Sequence, residues 1–162
     1  MTWTSRVEFR KSPVHGMGVF AIEDIPAGTR VWEFDRKMMI ADGPEALLRL
    51  PSPVRHFALH GGYLHHPSDR FVWYTDGMQY VNHAFGEMSN IGITEWTPLE
   101  QDNCTALRDI AAGDELLEDY SFWSIAKLPT DHWLRQVYAD HCPHHYDFLL
   151  GLDGQKDALR VA

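Results

Sequence analysis

Only two cysteines, Cys104 and Cys142, occur in the 162 residues. That is too few for the disulfide framework of a secreted scaffold, so both are expected as reduced thiols in a reducing compartment. Positive charge is also scarce: Lys plus Arg number 14 against 23 for Asp plus Glu, a formal net charge of −9. A protein that grips nucleic acid through its phosphates needs a basic face, so the balance argues against direct nucleic-acid binding. It is compatible with a cationic ligand or a Lys/Arg-rich peptide, which a negative field concentrates. No apolar run approaches a membrane span. Neither Met1-Thr2-Trp3-Thr4-Ser5 nor Arg160-Val161-Ala162 carries an export, lipidation or retention signal. No membrane association and a soluble, cytoplasmic location are therefore expected, or a nuclear one in a eukaryote. Internal repeats and low-complexity stretches are missing as well, which predicts a single unit.

What is present is the composition of an ordinary globular protein, 44% hydrophobic and 12% aromatic, in a chain long enough to bury roughly 70% of its unfolded surface. Val7-Glu8-Phe9, Gly18-Val19-Phe20-Ala21 and Arg30-Val31-Trp32-Glu33-Phe34 read as strands, with a turn at Pro26-Ala27-Gly28-Thr29. From 43 to 70 the character changes to short helices and loops, one helix opening at Asp42-Gly43-Pro44-Glu45 and running through Leu50, another opening at Ser52-Pro53 and running through Leu59. Strand composition returns at Phe71-Val72-Trp73-Tyr74, Ile91 to Glu95 and Cys104 to Arg108, with a turn at Asp76-Gly77. Beyond Pro129, Thr130 or Asp131 can cap a helix whose Leu134, Val137, Tyr138 and His141 recur at i, i+3, i+4 and i+7. It is expected to pack on the β body.

Three segments carry polar groups suited to a site. His15-Gly16-Met17-Gly18 places glycines where a ligand can approach the backbone. Tyr80-Val81-Asn82-His83, followed by Asn90, clusters donors and acceptors between strands. Gly113-Asp114-Glu115-Leu116-Leu117-Glu118-Asp119-Tyr120 joins a turn to an acidic stretch ending in a phenol. Each alone is compatible with a plain turn, a cap or a solvated acidic face.

In order and with their neighbours, the three resemble the SET-domain family of S-adenosylmethionine-dependent protein-lysine methyltransferases. Lys11 to Ala21 with Ile25 to Glu33 is similar to the family's opening, Tyr80 to His83 with Asn90 to its central Asn-His signature, and Ala106 to Ile110 through Asp119-Tyr120 to its closing signature. The resemblance implies a mainly β (α+β) fold, a β-clip of short mixed sheets with a threaded closing segment. A SET-like catalytic domain would span 1–124, with a substrate-reading helical insertion at 43–70, and a C-terminal helical segment would occupy 125–162. It also implies an enzyme, with S-adenosyl-L-methionine as cofactor and a lysine-containing protein or peptide as partner. A homodimer is one way for so short a chain to complete a peptide groove. A SET-like protein-binding module without turnover is the alternative.

By the same resemblance, Tyr120 is the catalytic residue. Gly16, Met17, Gly18, Tyr80, Asn82 and His83 hold the cofactor, and an aromatic, Trp133 or Trp123, covers its adenine. Tyr63, Tyr74, Glu118 and Phe122 meet the substrate, and Arg49, Arg55, His56, His65 and His66 of the insertion are further candidates for peptide contacts. The chain also departs from the pattern. Phe85 stands where zinc-bearing members have Cys and no Cys-x-Cys follows the tyrosine, so a helix is expected in place of that zinc module. The stretch from His83 to Asn90 is two residues longer than usual, with Ser89 at a Pro position, and Glu118 replaces the aromatic that often lines the lysine channel.

Ten histidines raise a separate question of metal binding. His56 and His60 sit at i, i+4 of a possible helix, and His141-Cys142-Pro143-His144-His145 is dense in ligand types. Neither group has an evident second pair, so they are read as surface and capping side chains and no metal is assigned.

Overall fold

The computed structural model describes residues 2–35 and 39–159, with 39–41 and 153–159 described by backbone alone; Met1 and Arg160-Val161-Ala162, where no signal is expected, lie outside the described residues. The chain divides into two compact units, Met1–Met39 with Tyr74–Asp119, and Ile40–Trp73 with Tyr120–Ala162.

The first unit is built of short strands. β1 (Val7–Lys11) and β2 (Met17–Ala21) form an antiparallel hairpin with Val7 opposite Ala21 and Lys11 opposite Met17. β3 (Arg30–Glu33), β7 (Asn82–His83), β8 (Ile91–Gly92), β9 (Asn103–Ala106) and β10 (Leu117–Glu118) make a five-stranded mixed sheet in the order β3-β9-β8-β10-β7. Val19, Val31, Trp32, Ile91, Ile110 and Leu116 are among the unit's buried apolar side chains. The turn expected at Asp76-Gly77 is held from three sides. Trp32 Nε1 donates to Asp76 Oδ2 (2.6 Å), Met78 N to Asp76 Oδ1 (3.1 Å) and Trp3 Nε1 to the Asp76 carbonyl (3.1 Å).

One connection breaks the usual economy of strand order. β10 pairs in parallel with β7 on one side and β8 on the other, although β7 and β8 are joined directly by residues 84–90. That connection must cross β10, a topology that short, unthreaded connections normally avoid. The expected strand from Ile91 to Glu95 stops at Gly92, the last residue paired with β9.

The second unit holds β4 (Met39–Ala41), α1 (Pro44–Leu48), α2 (Ser52–Gly61), β5 (Gly62–His65), β6 (Arg70–Trp73), α3 (Trp133–His141) and α4 (Pro143–Leu159). Both expected helices of the insertion form, but its second half is a strand rather than a loop: β5 pairs antiparallel with β6, Gly62 opposite Trp73 and His65 opposite Arg70. Tyr63, Leu64 and His65 are all buried, so no period-of-two alternation marked the strand in the sequence. Leu47, Leu59, Leu64, Phe71, Ile125, Leu134, Val137, Tyr138 and Cys142 form one core, with which α3 packs onto the insertion itself.

Two details of the C-terminal helix differ from expectation. Its cap is His132 rather than Thr130 or Asp131: Nδ1 accepts from Leu134 N (3.2 Å), so Nε2–H donates to Asp69 Oδ1 (2.8 Å). Its buried stripe ends on Cys142, at i+8, while His141 is exposed. A second helix, α4, follows at once, with Pro143 at its first position, where a missing N–H costs nothing. Among the described residues no helix is long and apolar enough to cross a membrane.

Leu134 is fully buried at the centre of this core. Leu134→Ala is expected to cost about 3 kcal/mol, read as a lowered urea midpoint at unchanged slope; a change within about 0.5 kcal/mol would show that the core is not packed as described.

Candidate functional site

The glycine turn of the first unit is fastened by its own side chains before any ligand is considered. Ser12 N donates to Gly16 O (2.9 Å), and Ser12 Oγ accepts from Val14 N (2.8 Å) and His15 N (3.3 Å). Gly16 has φ +51°, in the left-handed region that favours glycine. The Ser12 hydroxyl donates to Glu115 Oε2 (2.8 Å), so the turn is anchored to a residue from the far end of the unit.

Asn82 completes the arrangement. Its Nδ2 donates to the carbonyls of His15 and Met17 (3.0 Å each) and to Glu115 Oε1 (2.8 Å). Three segments far apart in the chain thus meet at one amide. A Cβ on Gly18 would collide with the Glu115 carboxylate, which Ser12 and Asn82 hold from both oxygens. The groups gathered here are mostly acceptors: two backbone carbonyls, a carboxylate and Asn82 Oδ1, which accepts no hydrogen bond among the described residues. Such a set suits a cationic donor such as an ammonium.

β10 is braced by side chains as well as by its ladder. Asn90 Nδ2 donates to the Glu115 carbonyl (2.8 Å) while its Oδ1 accepts from Leu117 N (2.8 Å), so Asn90 serves the backbone of the closing segment. His83 Nδ1 lies 3.2 Å from the Glu118 carbonyl and donates to it. In a neutral ring Nε2 is then the acceptor nitrogen. The longer 84–90 connection is tied down at Gly86 N, which donates to Asp119 Oδ2 (3.1 Å), and by Arg108, whose guanidinium donates to the carbonyls of Glu87, Met88 and Ser89.

Glu118 is buried. Burial, then the nearby Glu118 and Asp102 carboxylates, pushes the Cys104 thiol well above its usual range. Cys104 is therefore an inert core thiol.

Of the residues singled out from the sequence, Gly16, Met17, Gly18, Asn82 and His83 lie in this one region of the first unit. Tyr80 is exposed and meets Phe9 edge-on at 6.2 Å, and Tyr74 is edge-on to Trp32 at 5.4 Å. Tyr120 opens the second unit, two residues beyond β10, at the start of a 3-10 turn through Trp123. In that unit Trp123 contacts Tyr63 (4.4 Å) and Phe122 (5.2 Å) by ring edges, and Trp133 Nε1 donates to Asp69 Oδ2 (3.3 Å). Among the insertion's candidates Arg49 is exposed, whereas Tyr63 and His65 are buried within the unit. Ser12, Glu115 and the bracing role of Asn90 were not evident in the sequence. Glu115 sits in an acidic run, and only its contacts set it apart from its exposed neighbour Asp114.

The SET domain family model matches residues 16–121. Among solved structures, a humanized mutant of the Chaetomium thermophilum Polycomb Repressive Complex 2 bound to the inhibitor GSK126 is 28% identical, with a TM-score of 0.52 over 72% of this chain. Chaetomium thermophilum Polycomb Repressive Complex 2 bound to GSK126 is 24% identical, with a TM-score of 0.57 over 83% of this chain. The matches span 15% and 17% of those chains, so this protein corresponds to a small part of each. No curated protein matches the sequence.

Gly18→Ala is expected to displace Glu115 from Ser12 and Asn82 and to destabilise the protein by about 1–3 kcal/mol, measured by chemical denaturation. Full retention of stability would show that the Glu115 carboxylate is free to move.

Proposed function

The chain belongs to the SET-domain family, and from that premise we propose that it is a methyltransferase that uses S-adenosyl-L-methionine and acts on the ε-amine of a lysine in a protein or peptide. The observation that carries the reading is Asn82, whose amide joins the His15–Met17 carbonyls to Glu115. The donor set fits the cofactor: its α-ammonium needs acceptors, and the groups gathered beside Gly18 are acceptors. Asn82 Oδ1 and the carbonyls of the 15–17 turn would hold that amine, Met17 and Gly18 backbone the carboxylate end, and His83 the adenine.

When bound, the cofactor would supply an electrophilic sulfonium methyl for transfer to the lysine nitrogen. The lysine must arrive unprotonated. Its ordinary pKa of about 10.4 keeps it an ammonium in water, and removal from water beside a positive charge favours the neutral amine. Tyr120 is assigned, on family likeness, the hydroxyl that orients the amine lone pair. Alignment and fixed dipoles then provide the rate, with no general base.

Calorimetric titration with S-adenosylmethionine is expected to give a Kd on the order of 10⁻⁶ to 10⁻⁴ M, and mass spectrometry of a lysate incubated with labelled cofactor to reveal methylated lysines. Binding without transfer to any lysine would instead identify a non-catalytic binding module. Tyr120→Phe should lower kcat on the order of 10²-fold with cofactor affinity kept; unchanged turnover refutes its role. Single-turnover transfer should rise with pH, because only the deprotonated amine attacks. A profile flat through the amine titration would point to a dedicated base.

A further inference from the structure

The two histidine groups that lack a second pair in the sequence complete each other within the second unit. His56 and His60 lie one turn apart on α2 and face Cys142 at the junction of α3 and α4. Cys142 Sγ is 3.8 Å from His56 Nδ1 and 3.3 Å from His60 Nε2, and the three ligand atoms all lie within 4.8 Å of one another. His145, in the first turn of α4, brings its ring to 4.5 Å from that of His60, centroid to centroid. From these positions we propose a zinc site formed by His56, His60, Cys142 and His145.

The spacing and distances argue for a metal over a chance cluster. His-x3-His on one helix with Cys-x2-His at another junction is a ligand pattern of structural zinc sites, and one thiolate with three imidazoles suits a borderline-soft ion. A tetrahedral centre with Zn–S of about 2.3 Å and Zn–N of about 2.0–2.1 Å separates its ligand atoms by roughly 3.3–3.6 Å; the two sulfur–nitrogen distances bracket that range. Neither carboxylate nor carbonyl partners His56 Nδ1 or His60 Nε2 among the described residues, so their recorded polar contact is the sulfur itself.

The His145 backbone N–H donates to the Cys142 sulfur, while burial, the larger effect, raises the pKa of the thiol. His56 and His60 are exposed, giving an ion access from solvent, while Cys142 belongs to the core.

His56, His60 and Cys142 supply three ligand atoms already close together, and with His145 as the fourth the site would be closed, as structural zinc sites are. The ion would staple α2 to the α3–α4 junction and so hold the insertion to the C-terminal helices. It differs in position and ligands from the zinc module for which Phe85 replaces a Cys.

The test uses the full, tag-free chain. Elemental analysis after gel filtration should find one zinc per chain, removed by strong chelation with a fall in Tm and restored by added zinc. Cobalt(II) loaded into the apo chain should show the intense d–d bands of tetrahedral coordination together with a thiolate-to-cobalt charge-transfer band. Cys142→Ser should abolish that charge-transfer band, and both Cys142→Ser and His145→Gln should weaken zinc binding at least about tenfold, while circular dichroism reports whether each variant is folded. Three results would each overturn the site: no zinc or cobalt uptake by the folded wild-type chain, an octahedral cobalt spectrum without charge transfer, or wild-type zinc retention in folded Cys142→Ser.

Discussion

A single primary amide, with two hydrogens, meets three acceptors at Asn82. One of those acceptors is a carboxylate, and Asn82 itself is almost entirely buried. Removing the amide would leave Glu115 with Ser12 alone and would release the two carbonyls of the glycine turn. A buried acceptor that loses its donor costs more than the bond itself was worth, because no water replaces it. Asn82 and Ser12 together therefore tie the glycine turn to Glu115, which lies against Gly18.

The same logic recurs along the closing segment. A two-residue strand cannot be stable through its ladder alone, and β10 gains from Asn90 a donor and an acceptor aimed at its backbone, and from His83 a ring nitrogen on the Glu118 carbonyl. Side chains here do the work that longer strands do elsewhere. The extra length between His83 and Asn90 is accommodated in the same way, because Arg108 gathers three successive carbonyls of the connection.

Local pattern predicted local structure well. Hydrophobic periodicity located the buried positions Leu134, Val137 and Tyr138, and turn residues marked the bend at Asp76-Gly77. It failed where burial was two-sided or where a partner came from far away. β5 hid behind uniform burial, and His132 became a cap because Asp69 waits across the unit to receive its other nitrogen. In the candidate site, Gly16, Gly18, Asn82 and His83 could be read from motifs, whereas Ser12 and Glu115 acquire their meaning only from each other. The histidine clusters are the clearest case: a ligand set split between α2 and the α3–α4 junction looks incomplete in one dimension and closes only when the chain folds.

The crossing of the 84–90 connection over β10 has a kinetic side. β7 has no neighbour in the sheet until β10 is available, and β8, although it can already pair with β9, waits for β10 on its other side, so the polypeptide leaving the ribosome must keep a gap open between them. Contacts this distant in sequence close slowly, since the entropy of a large loop is lost before any pairing compensates for it. The platform beneath the glycine turn is thus expected to be the last part of this protein to mature, and a chain truncated before Leu117 would fold around an empty slot.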